Sequence, residues 1–171
     1  FLPGVTVRQA VALMQDYDRH ASVFGPAVVR AKLLDRNGDR FRVFLRFHMK
    51  KVLAVTVDTE NVAESGTAGP DRVHSASGST RVQEVEGAGT GAERQKPVGQ
   101  GGGFLWRLNT YWRFLERDGG TYIQCESITL SRDIPFGLGW IVGPFDWLVH
   151  WRALRLAEPL RIRNRQAQLD V

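Results

Sequence analysis

Few residues in this chain have the type and spacing to do chemistry, and Glu126 leads them. It sits in the run TYIQCESITL, an alternating stretch with apolar neighbours. A carboxylate on an apolar sheet face loses hydration, which raises its pKa and suits it to general acid work. The preferred reading is plainer: a structural glutamate paired with arginine, with Arg113 the candidate across a hairpin. Glu84 and Glu86 share one face of another strand, but nothing places either against a substrate. Ser127 has no assigned base, and no GxSxG elbow occurs. His20, His48, His74 and His150 are scattered without an HExxH pair. Cys125 is the single cysteine, which rules out an internal disulfide and any multi-cysteine metal site. Asp16 and Asp18 read as a helix end and a helix cap, since no third metal ligand stands nearby. The glycines from Gly87 to Gly103 form neither GxGxxG nor a Walker A pattern. No metal and no cofactor are expected.

Two strands must position Glu126. Trp106, Leu108, Thr110, Trp112 and Phe114 alternate with Arg107, Asn109, Tyr111 and Arg113, which gives one apolar, aromatic face and one polar face. The turn Asp118-Gly119-Gly120 follows. In the second strand Glu126, Ile128, Leu130 and Arg132 share one parity, and Ile123, Cys125, Ser127 and Thr129 hold the other. Turn length decides which set joins the aromatic face, because a one-residue slip exchanges the faces. A two-residue Asp118-Gly119 loop puts Cys125 and Ser127 inside, and the dipeptide itself leans that way. A three-residue loop ending in a left-handed glycine puts Glu126 and Arg132 inside.

Upstream, Thr6 and Gln9 have capping-box spacing, and Val7, Ala10, Val11 and Met14 form one apolar stripe. A second short helix starts near Asp18 and stops at Gly25-Pro26. Val28–Asp35 is a strand closed by the hairpin turn Arg36-Asn37-Gly38-Asp39. Phe41, Val43, Leu45, Phe47 and Met49 then point one way, with Arg42 and Arg46 toward water. One strand from Asp39 to Glu60 would exceed about 70 Å at ~3.3 Å per residue, so the chain must bend, and Met49-Lys50-Lys51 is the expected place. Ser65–Pro70 is a loop by composition. Arg72–Glu86 is a strand whose small central side chains suit an edge or a cavity wall. Residues 87–103, with seven glycines, are expected to be a flexible connection.

At 171 residues the chain is of single-domain length, with 43% hydrophobic and 24% charged residues. Its net charge of +5 is drawn largely from arginines after Trp151, while the aromatics fall on a strand face meant for burial. That argues against a nucleic-acid surface, which needs clustered charge interleaved with stacking rings. The uncharged run Ile134–Phe145 is well short of the ~20 residues of a spanning helix, so a soluble domain without targeting or transmembrane segment is expected. Trp147 and Trp151 beside the basic tail resemble an interfacial membrane anchor; a helix half buried on the sheet is preferred.

The run ERDGGTYIQCESITLSRDIP with FGLGWIVGP, and the earlier run DYDRHASVFGPAVVRAKLLDRNGDRF, resemble the START-like superfamily, also called SRPBCC or polyketide cyclase/dehydrase-like. The resemblance covers roughly Gly4 to Pro144. It implies an α+β helix-grip fold: a curved antiparallel sheet around a C-terminal helix near 136–157, two short N-terminal helices and an apolar cavity. The sequence after Pro144 departs from the superfamily pattern, leaving an atypical basic tail over 159–171 of a single domain spanning 1–171. The Glu and the Leu-Ser-Arg look like recurring features of the matched hairpin, and Ser127, Thr129 and Ser131 are short and polar enough for a solvated face. On those two grounds the three-residue turn is the working expectation. The expected ligand-binding set is then Trp106, Leu108, Thr110, Trp112, Phe114, Glu126, Ile128, Leu130 and Arg132. The leading function is non-catalytic binding or transport of a hydrophobic small molecule or lipid. The alternatives are a cyclase/dehydratase-type enzyme using Glu126 or Tyr111, and a peripheral membrane or protein-interaction module using the Trp-rich C-terminus.

Overall fold

A computed structural model describes residues 1–50 and 54–131. The expected C-terminal helix, Arg132 and the basic tail lie outside the described residues. The N-terminal strand β1 (Leu2–Pro3) leads to helix α1 (Val7–Gln15), a 3-10 turn at Tyr17–Arg19 and helix α2 (His20–Phe24). Strands β2 (Val28–Asn37), β3 (Arg40–Lys50), β4 (Ala54–Thr67), β5 (Arg72–Glu86), β6 (Arg94–Gln95), β7 (Arg107–Arg117) and β8 (Gly120–Leu130) follow. The order β1-β8-β7-β5-β4-β3-β2, with β6 beside β5, makes one eight-stranded sheet, antiparallel at every pairing.

The local signals explain these elements. Thr6 and Gln9 close the capping box, so each side chain satisfies an amide of the other's end of the first turn. A further orphan amide, Val7 N–H, donates to the Glu116 carboxylate of β7 at 2.7 Å, which pins the positive end of α1 to the sheet. Leu2, Val5, Val7, Ala10 and Leu13 then bury against Phe114. Asp18 does not cap α2; its Oδ1 accepts from Leu33 N–H at 2.9 Å and ties the 3-10 turn to β2. β3 and β4 stay paired as far as Met49↔Val55 and Lys50↔Ala54, so Met49 and Lys50, expected at the bend, belong to β3, and Lys51 lies outside the described residues. β4 runs on to Thr67 rather than giving way to a loop at Ser65, because its last residues pair with Val73, His74 and Ser75 of β5.

The hairpin β7–β8 corrects the expected register. Arg117 pairs with Gly120, leaving a two-residue loop with both residues at positive φ, Asp118 at 56° and Gly119 at 73°. Asp-Gly supplies such a turn at low cost. Gly120, which suggested the left-handed end of a longer turn, has another use. A Cβ there would collide with the Leu2 carbonyl oxygen, so this glycine lets β1 approach β8. Tyr111 therefore stands opposite Glu126, while Trp112 faces Cys125 and Thr110 faces Ser127.

Arg46 is a second correction. It does not face water: its side chain is 15% exposed and grips Asp58, itself 4% exposed, through two hydrogen bonds of 2.6 and 2.9 Å. Its other arm reaches Glu93 at 2.7 Å, and Gln95 Nε2 donates to the same Asp58. Gln83 donates to the Lys96 carbonyl, and the buried Glu84 carboxylate accepts from Gly102 N–H at 2.6 Å. The glycine-rich segment 87–103 is thus tied to the sheet from both ends. The Gly89 amide, then the Arg46 guanidinium, hold the Glu93 carboxyl below its usual range. Removing one partner of a buried ion pair strands the other in a poor dielectric. Arg46→Ala is therefore expected to cost about 3 kcal/mol in urea unfolding, with faster proteolysis within 87–103. A change below about 0.5 kcal/mol would show the pair to be no more than a surface bridge.

Candidate functional site

The concave face of the sheet is where the chain leaves room. Counting across β5, β7 and β8, the register sets side chains in rows: Val73–Phe114–Ile123, then Ser75–Trp112–Cys125, then Ser77–Thr110–Ser127. All nine line a hollow of about 190 Å³. The rows grade from fully apolar, through one aromatic ring and a thiol, to three hydroxyls. Large side chains would fill this space; serine and threonine do not, and the hollow follows from their size. β5 lies inside the sheet between β4 and β7, so its small central residues are a wall and not an edge.

Helices form the facing side. Val11, Met14 and Gln15 of α1 look onto the hollow, and so do Tyr17, His20 and Phe24. His20 is buried, with its ring 4.8 Å from Tyr17 and 5.0 Å from Phe24 between centroids. Its Nε2 donates to the Met14 carbonyl at 2.9 Å, which sets the tautomer and leaves Nδ1 as an acceptor. Burial depresses the His20 pKa, partly opposed by the Met14 bond and the Asp16 charge. Burial also pushes the Tyr17 hydroxyl up to about 12. The Cys125 thiol is pushed up to about 12 by burial and then by the Glu126 charge, so it stays protonated and unreactive near neutral pH.

The nine residues expected from sequence separate into distinct groups. Leu108, Thr110, Trp112 and Phe114 line the hollow, with Trp112 and Phe114 stacked at 6.3 Å. Trp106 precedes β7 and is 52% exposed; it borders a separate cleft with Pro97, Val98 and Arg107. Glu126, Ile128 and Leu130 are exposed on the opposite face, the direct result of the two-residue turn. Glu126 meets Tyr111 across the hairpin, and Arg113 meets Gln124 instead. Arg132 is outside the described residues. The sequence reading misses Tyr17 and His20, whose only signal is a histidine three residues after a tyrosine at a helix start. Among the described residues no group of three or more His, Cys, Asp or Glu could hold a metal, and no helix is long and apolar enough to cross a membrane.

No family model matches the chain, and no curated protein matches it in sequence. Solved structures do share its architecture. A STAR-related lipid transfer protein fragment from Xanthomonas axonopodis superposes with a TM-score of 0.61 at 16% identity, over 93% of this chain and 81% of the other. The fold is START-like. A protein from Thermus thermophilus shares it with a TM-score of 0.56 at 16% identity, over 96% of this chain and 93% of the other. The di-domain ARO/CYC StfQ of the steffimycin biosynthetic pathway matches at 0.54 and 15% identity, over 97% of this chain and 50% of StfQ. At these identities the START-like likeness concerns backbone architecture, with a curved antiparallel sheet and two short helices as its described parts.

The buried His20 gives a pH test of this geometry. Its folded pKa lies below its unfolded value near 6.5, so its contribution to stability is complete above pH 6.5. That contribution is lost as pH falls from there through the lower folded value. Urea midpoints should therefore drop between pH 7 and 5, and His20→Phe should flatten that drop. An identical acid limb in wild type and His20→Phe would place the histidine in water.

Proposed function

We propose that this chain binds a hydrophobic small molecule or lipid in the hollow, as a carrier without catalysis. The observation that carries the reading is the row arrangement itself: stacked Trp112 and Phe114 beside Val73 and Ile123, with space left over the neighbouring serines. An apolar pocket with a few polar groups is the common form of a small-molecule site. In the full domain the hollow would be closed by the C-terminal helix that the superfamily resemblance implies. Support of a coarser kind comes from the START-like neighbours, one described as a lipid transfer protein and another as an aromatase/cyclase. Those descriptions speak for a ligand-holding architecture and favour neither transport nor catalysis. A cyclase- or dehydratase-type reaction in the hollow would have to run without Glu126 and Tyr111, which sit on the other face. Peripheral membrane contact through Trp147 and Trp151 is a third reading and rests on residues outside those described.

Titration with N-phenyl-1-naphthylamine, an uncharged probe that fluoresces when desolvated, tests the carrier reading. Saturable one-to-one enhancement is expected. Thr110→Trp, which fills the middle of the hollow, should weaken it at least tenfold, about 1.4 kcal/mol. Glu126→Gln, on the far face, should leave it unchanged. Binding that survives Thr110→Trp but is lost in Glu126→Gln would move the site to the other side of the sheet.

A further inference from the structure

The polar groups of the hollow say what kind of molecule would fit it. Tyr17 and His20 stand side by side in the wall, ring centroids 4.8 Å apart. His20 is only 6% exposed, and with Nε2 committed to the Met14 carbonyl its Nδ1 lone pair meets no described donor. The Tyr17 hydroxyl likewise bonds no described group. A buried acceptor left unpaired costs free energy, a half-buried hydroxyl less, and a site built around such groups discriminates by what pairs them. Both residues line the hollow, so a guest hydroxyl there has an acceptor in His20 Nδ1 and a donor in Tyr17 Oη. On the sheet, the row Ser77–Thr110–Ser127 offers three more hydroxyls without described partners.

Charge sharpens the choice. Among the described residues lining the hollow there is no Lys, Arg, Asp or Glu. Burial keeps His20 neutral near pH 7. A carboxylate brought here would lose its hydration and meet no cation among the described lining residues, a large penalty in a low-dielectric site. The flat, parallel surfaces of Trp112 and Phe114 suit rings as well as chains.

Resting on the carrier reading, we infer that the hollow takes a neutral, ring-bearing molecule with a free hydroxyl, a phenol or an alcohol, held at the Tyr17–His20 pair. It discriminates against a carboxylate of the same shape.

Three probes of one shape test this at pH 7: naphthalene, 2-naphthol and 2-naphthoate, each titrated by calorimetry into the full chain. The expected order is naphthol tightest, by about tenfold over naphthalene for one well-placed hydrogen-bonded group, with naphthoate weakest. Tyr17→Phe removes only an unpaired hydroxyl and should leave folding intact, while shrinking the naphthol advantage at least threefold and leaving naphthalene unchanged. His20→Phe should do the same, checked against its own thermal unfolding curve. Equal binding of naphthalene and naphthol would overturn the inference and leave the carrier reading standing, as would naphthoate binding tightest. Failure of all three to bind folded protein would overturn both together.

Discussion

A strand has two faces, and one residue more or less in the preceding turn decides which side chains belong to which. In this chain that decision is made at Asp118-Gly119, where both residues take positive φ and the loop closes in two. The consequence runs the length of β8. Cys125 and Ser127 come to the concave side against Trp112 and Thr110, and Glu126, Ile128 and Leu130 are turned out. The same turn delivers Thr121 to a fully buried site where its hydroxyl donates to the Val5 carbonyl at 2.6 Å. That bond, with Gly120 under Leu2, fastens the N-terminus and so the helix α1 that faces the hollow.

The hollow is a product of omission on the sheet and of retention on the helices. Ser75, Ser77, Thr110 and Ser127 contribute little volume, and Trp112 and Phe114 stand at one end without filling the rest. Facing them, the 3-10 turn and α2 bring Tyr17 and His20 inward, held by Asp18 on the β2 amide and by the Met14 carbonyl. Neither anchor is an ion pair. The charged network of Arg46, Asp58 and Glu93 secures segment 87–103 instead. Among the described residues the lining of the hollow carries no Lys, Arg, Asp or Glu.

Much of the fold is legible in the sequence. The capping box at Thr6, the strand Arg72–Glu86 and the antiparallel arrangement all follow from short-range spacing, and short-range spacing is what a sequence displays best. Three misreadings have separate physical origins. A three-residue turn runs against the Asp-Gly signal, and favouring it assumes a filled core, in which short hydroxyl residues look as though they belong in water. A hollow reverses that logic, since small residues face inward where space is kept. Trp106 joins the inner set only if the two-residue period is extended past the start of β7 at Arg107. Arg46 looks solvated because its partners, Asp58 and Glu93, come from other segments of the chain. The pair Tyr17–His20 leaves no periodic signal at all; only the folded chain brings Tyr17 against Phe41 of β3.

The face assignment of β8 is the claim on which the rest stands, and cysteine reactivity reads it directly. Maleimide labelling rates should be compared for the native Cys125 and for a Cys125→Ser, Glu126→Cys chain, with both unfolded in urea as the reference. The thiol at position 126 is expected to react on the order of a hundredfold faster than Cys125 in the folded state, with the two rates converging on unfolding. Rapid labelling of Cys125 together with protection at position 126 would contradict the two-residue register and return Glu126 to the interior.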